Sequence, residues 1–520
     1  MRKTKDSLGM ACLRGLAKGP ARIALVDAGM GGRRIKAGLL LGAGLALARR
    51  IKKEESGPRV GVVLPPGAGG TMANLACVLA GKTPVNLNFT AGRAAGDSAA
   101  RQAGLRMVIT ARAMEEKLGE HFPDAGRRLD LAVMLRDGKW QAVVWAVLAL
   151  LLPSGVLAFL AGVERKGGDR EAGLLFTSGS TGEPKGVVLT HRNILGNLDQ
   201  IEGALGNLEI RSLLGCLPLF HSFGFTVTLW WPLTGGPRVV TYPSPLDPKV
   251  LGEVIAKHEV DLLVTTPTFL RALMRRAGRE KLGKLKMVVT GAEKLPGSLR
   301  EEFAEKIGVK VYEGYGMTEG SPVIAVNLPG AERAGTVGKP VRGLEVRTMD
   351  EGTGNILPQG EAGILEFRGS NIFPGYLGRT DLTEKVLKDG WYHSADFGRV
   401  DAEGFLTIEG RRARFSKMGG EMVPHGVVEE HLMKWLNENG ALHEGTQEVM
   451  VTAVEDEKKG ESLVVLHSCE LDVAKAEKGL REAGLPNLWV PKKFVRVKQV
   501  PMLASGKLDL AAGRKLAEGM

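Results

Sequence analysis

Short apolar runs of strand length, separated by stretches long enough for helices, recur along this chain and leave little choice of fold class. Residues 59–64 (Arg-Val-Gly-Val-Val-Leu) and 105–110 (Leu-Arg-Met-Val-Ile-Thr) read as buried strands, and the runs at 173–177, 261–265 and 286–290 repeat the pattern. Residues 37–53 and 71–80 have the length and apolar spacing of helices. Strands that lack polar alternation are covered on both faces, which predicts an α/β fold of mainly parallel sheets sheathed by helices. From about residue 411 the texture changes, and segments 421–436, 449–454, 462–467 and 493–497 suggest a small α/β unit with its own core. The expected division is a large domain over 1–410 and a small C-terminal one over 411–520.

Four cysteines, Cys12, Cys77, Cys216 and Cys469, are too scattered for a zinc site or a secreted disulfide framework, which fits a reducing cytosol. Residues 10–17, interrupted by Arg14, lack the continuous apolar stretch of an export signal, and none is expected. The net charge of +12 is concentrated early: residues 1–60 hold fourteen Lys and Arg against four Asp and Glu. Such a segment is a solvated surface or steers toward an anionic partner. Nucleic acid is not expected, because zinc-finger spacing and RNP-type aromatic motifs are both missing from the sequence.

Residues 142–163 form a run of 22 without a charge, against the about 20 needed to cross a bilayer. A single crossing would divide one α/β core between two sides of a membrane, and Pro153-Ser154-Gly155 breaks any helix midway. Two readings remain: a hairpin touching one leaflet, and a buried helix pair.

The sharpest local signal is Leu174-Leu-Phe-Thr-Ser-Gly-Ser-Thr-Gly-Glu-Pro-Lys-Gly186, an apolar strand entering a loop of glycines and hydroxyls with one lysine. Glycines admit phosphate oxygens to the backbone, hydroxyls and amides donate to them, and Lys185 supplies charge. Pro184 before the lysine excludes a Walker A loop.

This loop resembles the phosphate loop of the adenylate-forming superfamily of acyl-CoA synthetases, peptide-synthetase adenylation domains and luciferases, and further motifs follow in that family's order. The resemblance assigns the phosphates to Thr177, Ser178, Gly179, Ser180, Thr181, Gly182 and Lys185. In Tyr315-Gly-Met-Thr-Glu319 it implies that Tyr315 and Gly316 meet adenine and substrate, that Thr318 meets phosphate, and that Glu319 holds magnesium. Gly291-Ala292-Glu293 belongs with the nucleotide site, Asp396 and Arg411 with the ribose, and Lys507 is the catalytic lysine of a mobile small lid domain. Ala413 occupies the hinge position, where the family usually has Asp or Lys.

Amino-acid-activating relatives carry an aspartate after the phenylalanine that matches Phe220; here it is His221, and an ammonium buried without a carboxylate would be costly. Phe220 and His221 are therefore expected at a fatty acyl substrate. Within the fatty-acid branch, the runs 217–225, 242–246, 291–295, 313–316 and 420–423 resemble the synthetase half of bacterial bifunctional acylglycerophosphoethanolamine acyltransferase/acyl-carrier-protein synthetases. The implied reaction uses ATP and Mg2+ to convert a fatty acid to acyl-AMP and pyrophosphate, then passes the acyl group to the phosphopantetheine thiol of acyl carrier protein. Free coenzyme A is the alternative acceptor. The implied location is the cytoplasmic face of the inner membrane, with peripheral or monotopic contact. A reading of another class, a non-catalytic membrane-bound acyl or nucleotide sensor, is disfavoured because Glu319 and Lys507 are both present.

Overall fold

The computed structural model describes residues 5–177, 183–411, 414–418, 421–439, 448–456, 460–502 and 508–519. Two compact units divide the chain. The larger takes Met1–Val346, Phe367–His393 and Ala402–Leu406; the other takes Arg347–Glu366, Ser394–Asp401 and Thr407–Met520.

Two mainly parallel sheets lie wholly within the larger unit. The first has six strands in the order Arg127–Asp130, Met107–Thr110, Arg59–Val62, Thr83–Asn86, Glu171–Thr177 and Lys185–Thr190, and only the last pair is antiparallel. The second has nine, with a parallel centre of Val311–Gly316, Met287–Thr290, Leu262–Thr265, Ser212–Gly215, Arg238–Thr241 and Ile23–Asp27. Antiparallel strands flank it, Val323–Val326 and Lys339–Pro340 at one edge and Arg33–Lys36 at the other. The runs of Leu, Val, Met and Thr that make these strands are buried on both faces, as parallel sheets require.

Alternation decides what each face does. Leu214, Val240, Leu263 and Val288 turn into a core closed by helices Pro248–His258, Pro267–Leu282 and Gly297–Ile307 through Leu251, Ile255, Leu270, Leu273, Leu299 and Phe303. Their neighbours Leu262, Val264, Met287 and Val289 face the other way and line a cavity.

The chargeless run becomes two helices, Lys139–Leu151 and Ser154–Leu160, with the chain turning at Leu152-Pro153. The first packs on helix Ala37–Glu54 through small residues. A Cβ at Gly42 would collide with the Ala142 carbonyl and stand 2.8 Å from the Ala146 amide nitrogen, so the helices meet backbone to backbone. Only Ala146, Ala149, Leu157 and Ala158 of the pair are buried; Trp140, Leu151 and Phe159 are exposed by 72–78%. A buried helix pair therefore does not describe the run. Among the described residues no helix is long and apolar enough to cross a membrane.

The smaller unit holds a sheet in the order Glu421–Pro424, Phe415–Met418, Gly460–His467 and Val449–Asp456, with Lys493–Arg496 pairing Gly460–His467 in parallel. Alternate residues again serve two faces. Val449, Val451, Leu463 and Val465 meet helices His425–Glu438 and Val473–Glu482, while Met450, Val464 and Leu466 pack with Ala517 of helix Leu510–Glu518.

The close helix crossing generates a prediction. Gly42→Ala should destabilise the larger unit by about 1–3 kcal/mol through overpacking. Gly203→Ala, on helix His191–Leu205 with nothing within 4 Å of the added methyl, should be neutral or stabilise by up to about 1 kcal/mol. Thermal unfolding of both variants checks the contrast.

Candidate active site

Strands Glu171–Thr177 and Lys185–Thr190 pair antiparallel with Thr177 directly opposite Lys185, a two-strand base at the two ends of the segment expected to meet phosphate. Ser178, Gly179, Ser180, Thr181 and Gly182 lie outside the described residues, as do Ala413 and Lys507. Beside this base runs the segment around Tyr376: Tyr376 bridges to Val187, and the Leu377 amide donates to the Gly186 carbonyl at 2.8 Å. The pairing holds the Lys185 ammonium 5.6 Å from the centre of the Tyr376 ring.

Tyr376 also ties this base to the Tyr315–Glu319 motif. Its hydroxyl donates to Glu319 Oε1 at 2.9 Å, and the Phe373 amide donates to the Glu319 carbonyl at 2.9 Å. Burial, and then the Glu319 charge, push the Tyr376 phenol well above its ordinary range, so it stays protonated and keeps donating. Its ring is fixed by Phe373, 4.9 Å away and edge-on. Lys185 and Glu319, far apart in sequence, thus share one aromatic partner. Thr318 Oγ1 in turn donates to Ser222 Oγ at 3.2 Å.

Tyr315, Gly316, Gly291 and Ala292 line the mouth of the cavity, together with Ser222, Phe223, Thr290 and Gly314. Ala292 is held at φ 68°, a left-handed conformation costly for a residue with a Cβ and frequent at functional sites. Farther in, the walls are Ile201, Ala204 and Leu205, Val227 and Trp231, and the strand residues Leu262, Val264, Met287 and Val289. All the lining residues are uncharged.

The other expected residues are placed as follows. Phe220 is buried edge-on against Phe89 at 5.1 Å and His221 is exposed; their motif contributes Ser222 and Phe223 to the cavity wall instead. Glu293 Oε2 accepts from the Thr268 hydroxyl at 2.7 Å and its amide at 3.3 Å, at the start of helix Pro267–Leu282. Asp396, buried on strand Trp391–Val400, falls in the smaller unit, as does Arg411 at the end of strand Leu406–Arg411. Tyr376 and Ser222 were not singled out by the sequence; Pro374-Gly375 ahead of Tyr376 signals only a turn. Among the described residues no group of three or more His, Cys, Asp or Glu side chains is placed to hold a metal.

Residues 14–377 match the family model described as AMP-binding enzyme. The chain is 30% identical over 344 residues to the long-chain-fatty-acid–CoA ligase of Bacillus subtilis, covering 64% of this chain and 60% of that one. It is also 30% identical over 366 residues to a 2-succinylbenzoate–CoA ligase of Bacillus cereus, covering 67% and 70%. The chain thus spans about 60% of the length of the long-chain ligases it matches. Among solved structures, o-succinylbenzoate coenzyme A synthetase from Bacillus subtilis superposes with a TM-score of 0.80 at 26% identity as its acyl-adenylate complex, over 96% of both chains. The same enzyme with ATP and magnesium gives 0.81 at 26% identity, over 97% of this chain and 99% of that one. MatB from Rhodopseudomonas palustris shares the fold at 24% identity, with a TM-score of 0.79 over 98% and 99% of the two chains.

Glu313, two residues before Tyr315, supplies a pH test. Burial pushes its carboxyl up to about 7, although the Leu295 amide donates to it at 3.0 Å. The folded state then holds the proton better than the unfolded chain. This contribution to stability is full below pH about 4.5 and is lost as pH rises through about 7, a swing of about 3 kcal/mol. Glu313→Gln keeps an acceptor for Leu295 and removes the titration, so its melting temperature relative to wild type should rise between pH 5 and pH 8.

Proposed function

This chain belongs to the AMP-binding enzyme family, and from that premise we propose that it is an ATP-dependent ligase that activates a fatty acid as its adenylate and transfers the acyl group to a thiol. The observation that carries the reading is the uncharged cavity whose wall residue Ser222 accepts from Thr318, the neighbour of the Glu319 that shares Tyr376 with Lys185. A carboxylate that attacks the α-phosphorus of ATP is repelled by phosphate charge, so cations belong at the mouth and none along the chain-binding walls. Lys185 and Thr177 suit the β- and γ-phosphates and Tyr315 the adenine; the role of Lys507 on the reacting carboxylate rests on the sequence resemblance alone.

Magnesium fits the donor set as a partner of the nucleotide. A lone carboxylate such as Glu319 suits an ion that takes one or two protein oxygens and completes its shell with phosphates. When bound, the ion neutralises phosphate charge. Tyr376 orients Glu319 for that task, its hydroxyl on Oε1.

The walls also discriminate among acids. An ammonium or a second carboxylate would be stranded there without a partner, which favours a monocarboxylic alkyl acid over an amino acid or a dicarboxylate such as 2-succinylbenzoate. The acceptor is a phosphopantetheine thiol. The names of the relatives favour coenzyme A; the sequence resemblance to acyl-carrier-protein synthetases favours carrier protein, and a gel shift of carrier protein against coenzyme A consumption separates them.

We further infer that helices Lys139–Leu151 and Ser154–Leu160 rest on an anionic lipid surface, the cytoplasmic face of the inner membrane by the sequence reading. Trp140, Val144, Val147, Leu150, Leu151, Phe159 and Leu160 are all more than 45% exposed, a patch of the kind that marks interaction sites. Cations border it: Lys52 Nζ donates to the Gly162 carbonyl at 2.6 Å and Arg165 to the Gly155 carbonyl at 2.9 Å. Each methylene buried in lipid contributes about 0.8 kcal/mol.

Two experiments follow. Glu319→Gln should lower fatty-acid-dependent ATP/pyrophosphate exchange at least tenfold, with partial recovery at raised magnesium, and Tyr376→Phe should lower it several-fold. A wild-type rate for Glu319→Gln at limiting magnesium removes the metal role. Replacing Leu150, Leu151 and Phe159 by serine should abolish flotation with anionic vesicles while leaving exchange intact; undiminished flotation contradicts the lipid contact.

A further inference from the structure

The cavity runs along the strands of the nine-stranded sheet. At its mouth Gly291 and Gly316 lie at the C-terminal edge of the nine-stranded sheet; at its far end Leu262 and Met287 are the first residues of their strands. Met287 to Gly291 is a rise of about 13 Å at roughly 3.3 Å per residue. An extended alkyl chain advances roughly 1.3 Å per methylene for carbon–carbon bonds of about 1.5 Å, so the slot accepts about ten carbons.

Beyond the far end is a second pocket, open to solvent and bordered by Arg22, Arg211, Gly235 and Arg238, at or just before the N-terminal ends of strands Ile23–Asp27, Ser212–Gly215 and Arg238–Thr241. Leu205 and Trp231 belong to the walls of both cavities and stand between them. Trp231 is 4% exposed, and its indole N–H donates to Glu202 Oε1 at 3.1 Å, which anchors it to helix His191–Leu205. On its other side, a Cβ at Gly236 would stand 2.6 Å from the indole Cδ1, so the glycine makes room for the ring. An alkyl chain that passed this point would meet three arginines.

We propose that Trp231, braced by Glu202 and seated on Gly236, is the stop that sets acyl chain length, limiting the substrate to about ten carbons. The proposal rests on the ligase reading above and goes beyond it by naming the residue that selects the acid. Without the indole the slot gains a space several methylenes deep, continuous with the second cavity.

ATP/pyrophosphate exchange by the full chain across saturated acids of about six to sixteen carbons tests it. In wild type kcat/KM should climb to about ten carbons and then fall. Trp231→Ala should raise the ratio of kcat/KM for tetradecanoate over octanoate at least tenfold, and Trp231→Phe should raise it less. Leu205→Trp, which adds bulk at the same wall, should shift the optimum to shorter acids, and this variant and Trp231→Phe decide the matter if Trp231→Ala does not fold. A wild-type optimum at sixteen carbons, or ratios unchanged in the soluble variants, overturns the stop. Failure of wild type to activate any of the acids is a different outcome, which rejects the ligase reading itself.

Discussion

Two-sided burial of the nine-stranded sheet is the constraint on which the rest of the larger unit depends. Successive residues of a strand point to opposite faces, so each apolar run must find two coverings. Leu263 and Val288 find helices; Leu262, Val264, Met287 and Val289 find a partly filled space closed on the far side by Ile201, Leu205, Val227 and Trp231. On this face the side chains leave a slot rather than a filled core. Gly314 and Gly316 extend it to the strand ends, because no side chain rises from them into the slot.

Charge is excluded from the slot's walls and gathered around Tyr376. There a single tyrosine reconciles two groups of opposite sign without neutralising them. Lys185 faces the Tyr376 ring, and Glu319 takes the hydroxyl hydrogen. A buried phenol needs an acceptor, and a carboxylate beside it keeps it protonated. Both ends of the pair are thus oriented before any ligand arrives, and preorganised charge is what phosphate chemistry draws on. At the opposite end the Trp231 indole N–H is likewise satisfied by a carboxylate, that of Glu202.

The sequence made these features legible to different degrees, for physical reasons. Central strands were plain because runs such as Leu-Leu-Val-Thr and Met-Val-Val-Thr have no polar alternation, and their observed limits, Leu262–Thr265 and Met287–Thr290, fall within one residue of the expected start. The helix break at Pro153 was plain because proline removes a donor and clashes with the preceding turn. Edge strand Arg33–Lys36 was invisible, since three of its four residues are exposed cations. Tyr376 was invisible for another reason: an isolated aromatic reads as core, and only tertiary neighbours reveal which group its polar atom serves. The smaller unit's claim on Arg347–Glu366 and Ser394–Asp401 depends on long-range pairing that no local pattern encodes. His221 illustrates the converse, a motif position conspicuous in sequence whose side chain is exposed while Ser222 and Phe223 beside it reach the wall.

The central claim is that an alkyl chain lies in this slot while its activated carboxylate stands at the mouth. A crystal structure with a non-hydrolysable decanoyl-adenylate analogue tests it most directly. The account predicts the alkyl chain along Leu262, Val264, Met287 and Val289, ending against Trp231, with the adenine beside Tyr315. An analogue whose adenine binds near Tyr315 while its chain leaves the slot empty would contradict it.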